Sequence, residues 1–513
     1  MASNHLFSGV LPLDRAASTL GYLVCGALLA LLLQSILTTI SLRHIPTVGT
    51  STLPLLSYKG AYDFTRDIKG VFQQGYAKYK GRAFKIAFTD RWFVVLTGRK
   101  LLEELHRLPD GTTSFNHASG SITGSTYIYG RGWLSDPWHI PIIRDRLTKH
   151  LAASFGDMYD ELETVFRELM PSCEEEWVPV HFITIARTVV ARTSNRVFVG
   201  LPACRNLGYH TLLVNFALDV SKARNRLAWL PPALKRVAAR ALTRIDSRIE
   251  EGMQYLGPTI RARIVEMERY KGDWPDKPND ILQWIMEELI ARKMPMEEAV
   301  RIILRINSSA VQTTANSLTH AIYHLAANPD LIAPLREEVD AVITDEGWTK
   351  LAMSKLSRLD SFMRESMRLN IVNPFSVRRM ALKSFTFSDG TFIPKGTLMV
   401  TPAHATHLDE ANYEHASVFD PWRFVHQKEE DLSPTKHHFI TTSPEFVAWG
   451  HGKHACPGRF FASNELKAMM AYIILNYDVK FARAGVRPDN VYSGLTVAPN
   501  QEANVLFRRR QTQ

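Results

Sequence analysis

Cysteine is scarce. The 513-residue chain has four, Cys25, Cys173, Cys204 and Cys456, too scattered for a disulfide framework or for the close ligand spacing of a zinc site. A reducing compartment is the natural reading. No strand-then-GxGxxG dinucleotide fingerprint is present, so electrons for any redox step must come from elsewhere. No repeat of about 20–50 residues and no late polar linker marks a second domain. Zinc fingers, aromatic-basic RNA-binding signatures and dimerising basic helices are also missing. This argues against nucleic acid despite a formal net charge of +10 and a pI near 9.3. Charged residues make up only 22% against 45% hydrophobic, which excludes a disordered or collagenous chain and allows a large core. The Arg508-Arg509-Arg510 run reads as a solvated tail.

What the N-terminus does contain is a stretch from Leu20 to Ile40 without a charge, long enough as a helix to cross ~30 Å of hydrocarbon. It is expected to be a transmembrane anchor within an N-terminal segment of residues 1–43. A cleaved signal peptide would need a strongly basic start and a shorter apolar region, whereas Asp14 and Arg15 nearly cancel. Arg43, Lys59, Arg66 and Lys69 follow, favouring a cytosolic body under the positive-inside tendency. The Pro/Gly connector from His44 to Gly49 stops the helix, and one large domain over residues 44–513 is the simplest organisation.

Helical periodicity dominates. From Met296 to Ala327, Val300, Ile303, Ile306, Ala310, Thr314, Leu318, Ile322 and Leu325 recur mainly at i+3/i+4 until Asn328-Pro329 ends the pattern. Such a helix, roughly 45 Å long, must cross the domain with its middle buried. Phe385 to Ile393 alternates apolar and polar residues around Asp389-Gly390, the chemistry of a tight hairpin. The fold class is mainly α with a small β-rich lobe.

One cysteine stands among glycines, in Phe446-Val447-Ala448-Trp449-Gly450-His451-Gly452-Lys453-His454-Ala455-Cys456-Pro457-Gly458-Arg459. An iron-bound thiolate needs backbone amides near the sulfur to spread its charge. Glycines permit that path, and the following helix adds its positive N-terminal end. The segment resembles the haem-binding signature of the cytochrome P450 family: an aromatic residue seven before Cys, Gly four before, a basic residue two before and Gly two after. Trp449, Gly452, His454 and Gly458 occupy those positions, with Trp449 replacing the usual Phe.

Two further segments match in family order. Glu365 and Arg368 share a helix face some ninety residues before Cys456, and Phe419-Asp420-Pro421-Trp422-Arg423-Phe424 lies between. The resemblance implies a structural network of Glu365, Arg368 and Arg423 behind the cysteine segment. Within the long helix, Ser309-Ala310-Val311-Gln312-Thr313-Thr314 resembles the oxygen-binding groove, with Thr313 as its key hydroxyl and Thr314 beside it. Gln312 stands where the family usually has a carboxylate, and Ala310 where it often has glycine. A mid-helix threonine can also simply bond back to a carbonyl.

The family's fold would place haem b between the long helix and the Cys456 segment, with Gly450 and the other loop glycines around the sulfur. His454 would reach one propionate. His139 or Arg144 would serve near Trp138, and Arg378, preferred over Arg379, would take the other propionate. The implied activity is oxygen insertion using O2 and NADPH-derived electrons from a membrane-bound reductase, with cytochrome b5 as a further donor. Lys453, Arg459, Arg144 and Arg146 are candidates for docking that partner. The endoplasmic reticulum membrane, with the catalytic domain facing the cytosol, is the implied location. Sequence wording around Cys456 resembles fungal secondary-metabolism members acting on terpenoids, indole diterpenes or meroterpenoids. Substrate walls are expected from residues 114–129, 201–230, 371–377 and 494–497. The competing classes are a haem-thiolate isomerase or dehydratase needing no external electrons, and a haem-based ligand sensor.

Overall fold

The computed structural model describes residues 21–22, 26, 29, 33, 36–51, 54–88, 91–129, 136–228, 230, 232–431, 435–493 and 495–511. Most of the predicted anchor lies outside these residues, as do Cys25 and Gly494. No helix formed by the described residues is long and apolar enough to cross a membrane.

Helices dominate, and the longest runs Glu297–Ala327, with Met296 at its N-cap. It ends as the sequence predicts: Pro329 has no amide to extend the ladder, and Asn328 N–H closes on the carbonyls of His324 and Leu325. Its apolar stripe, including Ile303, Leu318 and Ile322, is buried in the main core with residues of the Phe182–Phe198 and Arg459–Asn476 helices. The helix carrying Glu365 spans Ser357–Leu369, with Asp360 in its first turn and Arg368 in its last, each on the favourable side of the helix dipole.

The β-rich lobe is a five-stranded sheet in the order Ala83–Phe88, Arg91–Leu96, Leu398–Thr401, Ser376–Ala381, Thr113–Ser114. In this sheet the Arg91–Leu96/Leu398–Thr401 pair is parallel and the other pairs are antiparallel. The predicted hairpin forms, Phe385–Thr386 against Phe392–Ile393, with Gly390 at φ +86° in the turn.

One expectation is overturned. Arg508-Arg509-Arg510 is no solvated tail. Val505–Arg509 is the central strand of a three-stranded sheet, pairing with Val178–Val180 on one side and Tyr477–Lys480 on the other. Arg508 donates to Asp478 at 3.2 Å and lies 4.7 Å over the Trp177 ring, and Arg510 donates to the Leu475 carbonyl at 2.8 Å. Basic residues read as solvated when their partners lie far away in sequence.

Candidate active site

The loop before the Arg459–Asn476 helix is bent by two glycines with positive φ, Gly450 at +80° and Gly452 at +68°. A Cβ on Gly452 would lie 1.8 Å from His106 Cε1, so any side chain there forces the His106 ring to move. Gly458, at the helix N-cap, has φ −90°, and a Cβ there would only touch Ile143 at 3.8 Å. Its backbone does not demand glycine.

Cys456 N–H donates to the Trp449 carbonyl at 2.6 Å, folding the loop back on itself. Burial pushes the thiol pKa up, while the Gly458 and Arg459 amides bonded to the sulfur, with the Arg459 charge, pull it down. The same amides that fail to overcome burial in a thiol are the groups that hold a thiolate once a cation binds it. Trp449 turns its indole N–H to the Phe439 carbonyl at 2.8 Å and packs edge-on against the Phe439 ring. The larger aromatic is therefore accommodated by a hydrogen bond that Phe could not make.

Behind this loop, Glu365 and Arg368 are fully buried, with Arg368 Nε and Nη2 each donating to the carboxylate at 2.7 Å. Arg423 Nε adds a bond at 3.3 Å, and the Asp420 amide adds another at 3.1 Å. The bidentate partner is thus Arg368. Arg423 contributes one bond to Glu365 and spends Nη1 on the Glu414 carbonyl at 2.6 Å.

On the other side, Thr313 Oγ1 donates to the Ser309 carbonyl at 2.8 Å and lies 3.2 Å from that of Ala310. The hydroxyl is exposed, and its lone pairs can still accept. Thr314 is buried instead. Gln312 is exposed on the same turn, with Nε2 donating to Asn316 Oδ1 at 2.8 Å.

His454 stacks on Phe115, with ring centroids 5.5 Å apart, and its Nε2 meets Asp110 at 3.0 Å. Of the neighbouring arginines, Arg379 is a second candidate donor for a propionate beside Arg378. Arg379 is 2% exposed, Nη1 donates to the Arg378 carbonyl, and the buried Nη2 has no hydrogen-bond partner. Its charge also acts on His454 and is felt by Asp110. Arg378 also lies against Phe115: the guanidinium carbons of Arg378 and Arg379 are 5.6 and 5.7 Å from that ring's centre. His139 is buried, and that burial, with the Arg305 charge, drops its pKa to about 3, so it can offer only a neutral imidazole.

Arg144 does not join the group. It is solvent-facing, and Nε and Nη2 are both taken by Asp145 at 2.8 Å. The other proposed docking cations also have internal partners: Lys453 on Asp110 at 2.9 Å, Arg146 on Glu287 at 2.6 Å and Arg459 on the Cys456 carbonyl at 3.0 Å.

Sequence reasoning missed three supports of the loop. His407 bonds both Arg368 and Val447, Arg364 lies against Phe446, and Asp360 accepts from Lys467 at 2.9 Å and from the Phe439 amide at 2.8 Å. None has a spacing signal, because each partner lies tens of residues away.

A loop cysteine able to give one thiolate, together with a buried guanidinium nitrogen that lacks an acceptor, suits an iron porphyrin, which brings its own ring nitrogens and carboxylates. The class so defined is that of the haem-thiolate proteins. Residues 48–507 match the cytochrome P450 family. The chain is 44% identical over 475 residues to cytochrome P450 monooxygenase 151 of Postia placenta, covering 92% of this chain and 95% of the relative. It is 34% identical over 470 residues to cytochrome P450 monooxygenase CYP512U6 of Ganoderma lucidum (91% and 92%), and 29% identical over 499 residues to the ent-kaurene oxidase of Gibberella intermedia (95% and 92%). The chain belongs to the cytochrome P450 family: it is a monooxygenase whose cofactor is haem b, with a cysteine thiolate on the iron.

Proposed function

We propose that this enzyme inserts one oxygen atom into a large terpenoid-type substrate, a terpenoid, indole-diterpene or meroterpenoid intermediate of fungal secondary metabolism. The overall balance is substrate C–H, O2, two electrons and two protons giving an alcohol and water. NADPH supplies the electrons through a membrane-bound reductase, with cytochrome b5 as a further donor. The observation carrying the oxidative reading is the Cys456 loop, turned by Gly450 and Gly452 at positive φ and closed by the Cys456 N–H on the Trp449 carbonyl at 2.6 Å. Support for the substrate class comes from buried apolar side chains in the expected walls, Phe216, Leu227, Ile371, Phe375 and Val497, and from the ent-kaurene relative.

Bound haem supplies oxygen activation, and the chain's own residues hold and protonate. The Gly458 and Arg459 amides would spread the thiolate charge, and Arg378 or Arg379 would donate to a propionate, while His454 could do so only by giving up its Nε2 bond to Asp110. Thr313 Oγ1 keeps lone pairs for a proton-carrying water, while Gln312, which cannot titrate, is oriented by Asn316.

The reading extends to location: an anchor at about residues 20–40, a catalytic domain over residues 44–513, and a single-pass orientation in the endoplasmic reticulum membrane facing the cytosol. Leu29, Leu33, Leu37 and Ile40 are helical and more than half exposed, as lipid-facing side chains would be. The test is reconstitution with NADPH and reductase against candidate terpenoids, scored for a product one oxygen atom heavier. Product formed equally without reductase would overturn the monooxygenase reading, and a thiolate-type CO spectrum surviving Cys456→Ala would overturn the ligand.

A further inference from the structure

His407 belongs to none of the sequence motifs, yet it stands between the carboxylate network and the sulfur-bearing loop. It ends the short helix Ala403–His407 and is fully buried. Its Nδ1 lies 3.0 Å from the Arg368 carbonyl oxygen and must donate, since a carbonyl only accepts. Nε2 therefore carries a bare lone pair, and the Val447 amide donates to it at 3.0 Å. The two bonds select one neutral tautomer. The imidazole lies parallel to the Phe446 ring, with centroids 5.3 Å apart and planes 10° apart, and the Arg364 guanidinium sits 3.8 Å from the same ring's centre.

Val447 lies nine residues before Cys456, at the start of the loop. His407 fixes its amide. Its carbonyl accepts the Ser376 hydroxyl at 2.8 Å and the Gly450 amide at 3.0 Å, the residue at which φ turns positive. Arg368, whose carbonyl takes the other imidazole nitrogen, is the residue that Glu365 grips.

We infer that His407 is a positioning residue that registers the Cys456 loop on the Glu365–Arg368–Arg423 network, and that it does so only as the neutral Nδ1–H imidazole. The inference rests on the reading of Cys456 as the haem ligand. A proton on Nε2 would abolish the acceptor for Val447 N–H. It would also place another cation beside Arg368 and Arg364, with His404 close by and Glu365 already engaged by Arg368 and Arg423. Burial foremost, then those positive charges, hold the His407 pKa down at about 3, against the pull of the Arg368 carbonyl. With the folded-state value depressed, the stabilisation is present above the unfolded imidazole's pKa of ~6.5 and is lost as pH falls from there toward about 3.

The test uses the haem-loaded full-length protein and reads the CO difference spectrum of the reduced form, which separates thiolate from thiol ligation without substrate or turnover. His407→Gln can donate to the Arg368 carbonyl and accept from Val447 without titrating. It should keep the thiolate band at neutral pH and move its acid conversion to lower pH than the parent's. His407→Phe keeps a stacking ring but loses both hydrogen bonds. It should lower the thiolate-to-thiol ratio about tenfold. A His407→Phe protein with the parent's ratio and acid midpoint overturns the inference. If that variant fails to fold, His407→Gln decides, and an unshifted acid midpoint overturns it equally. A parent without any thiolate band would instead remove the ligand assignment on which the inference rests.

Discussion

Glu365→Gln perturbs a site with no access to solvent. The native carboxylate takes two bonds from Arg368 at 2.7 Å, one from Arg423 at 3.3 Å and one from the Asp420 amide at 3.1 Å. Glutamine fits the same space but has one accepting oxygen, and its amide hydrogens face a guanidinium donor. Two buried arginines then lose their counter-charge. Removing one partner of a buried ion pair costs about 3–5 kcal/mol. Arg368 still reaches the carbonyls of His407 and Ala416 at 2.6 Å, so the loss should stay within the loop support rather than spread through the helix. Glu103→Gln is the control. Its partners Arg99 and Arg107 are mostly exposed, and such a pair is worth about 0.5 kcal/mol or less. Urea unfolding of the haem-loaded protein, followed in parallel by far-ultraviolet circular dichroism and by the thiolate CO band, separates the two. The thiolate band of Glu365→Gln should vanish at lower urea than the helical signal. If Glu365→Gln shifts the midpoint no further than Glu103→Gln, the argument that this carboxylate holds the cysteine loop is wrong.

Gly452→Ala should strip haem from the protein, because its Cβ would meet His106 at 1.8 Å on a backbone with φ +68°. The left-handed conformation alone costs about 1–2 kcal/mol, so adding His106→Ala should restore haem occupancy only in part, as read by absorbance per chain. Arg379→Gln should speed haem transfer to an acceptor apoprotein, whereas Arg144→Gln, whose side chain is spent on Asp145, should leave that rate at the parent value. Glu465 is buried with Ser194 as its partner, and burial raises its pKa to about 8. Its stabilising contribution is complete below the unfolded carboxyl's value near 4.5 and is lost as pH rises through about 8. Glu465→Gln should therefore flatten the decline in melting temperature across that range, and an unchanged slope would assign the decline to other groups.

The long helix, the Glu365 helix and the hairpin at Asp389-Gly390 were legible because each is specified locally, by apolar period, capping or turn chemistry. Cys456 was legible because its glycines and basic neighbours lie within a few residues of it. The propionate donor was harder to read. Arg378 and Arg379 are adjacent, and both bring their guanidinium groups to the Phe115 ring on which His454 stacks, so spacing alone does not choose between them. His407 gave no signal, since its partners lie 39 and 40 residues away, and Arg508 gave none until Asp478 and Trp177 were placed beside it.

Val178–Val180 and Tyr477–Lys480 do not pair with each other; each pairs only with Val505–Arg509 between them. Val505–Arg509 is thus the strand that joins two segments about three hundred residues apart in the chain. That lobe closes only once Val505–Arg509 has been made, and Val178–Val180 has no sheet partner until then. Cutting the chain before Val505 would leave two unpaired edges where one sheet should be.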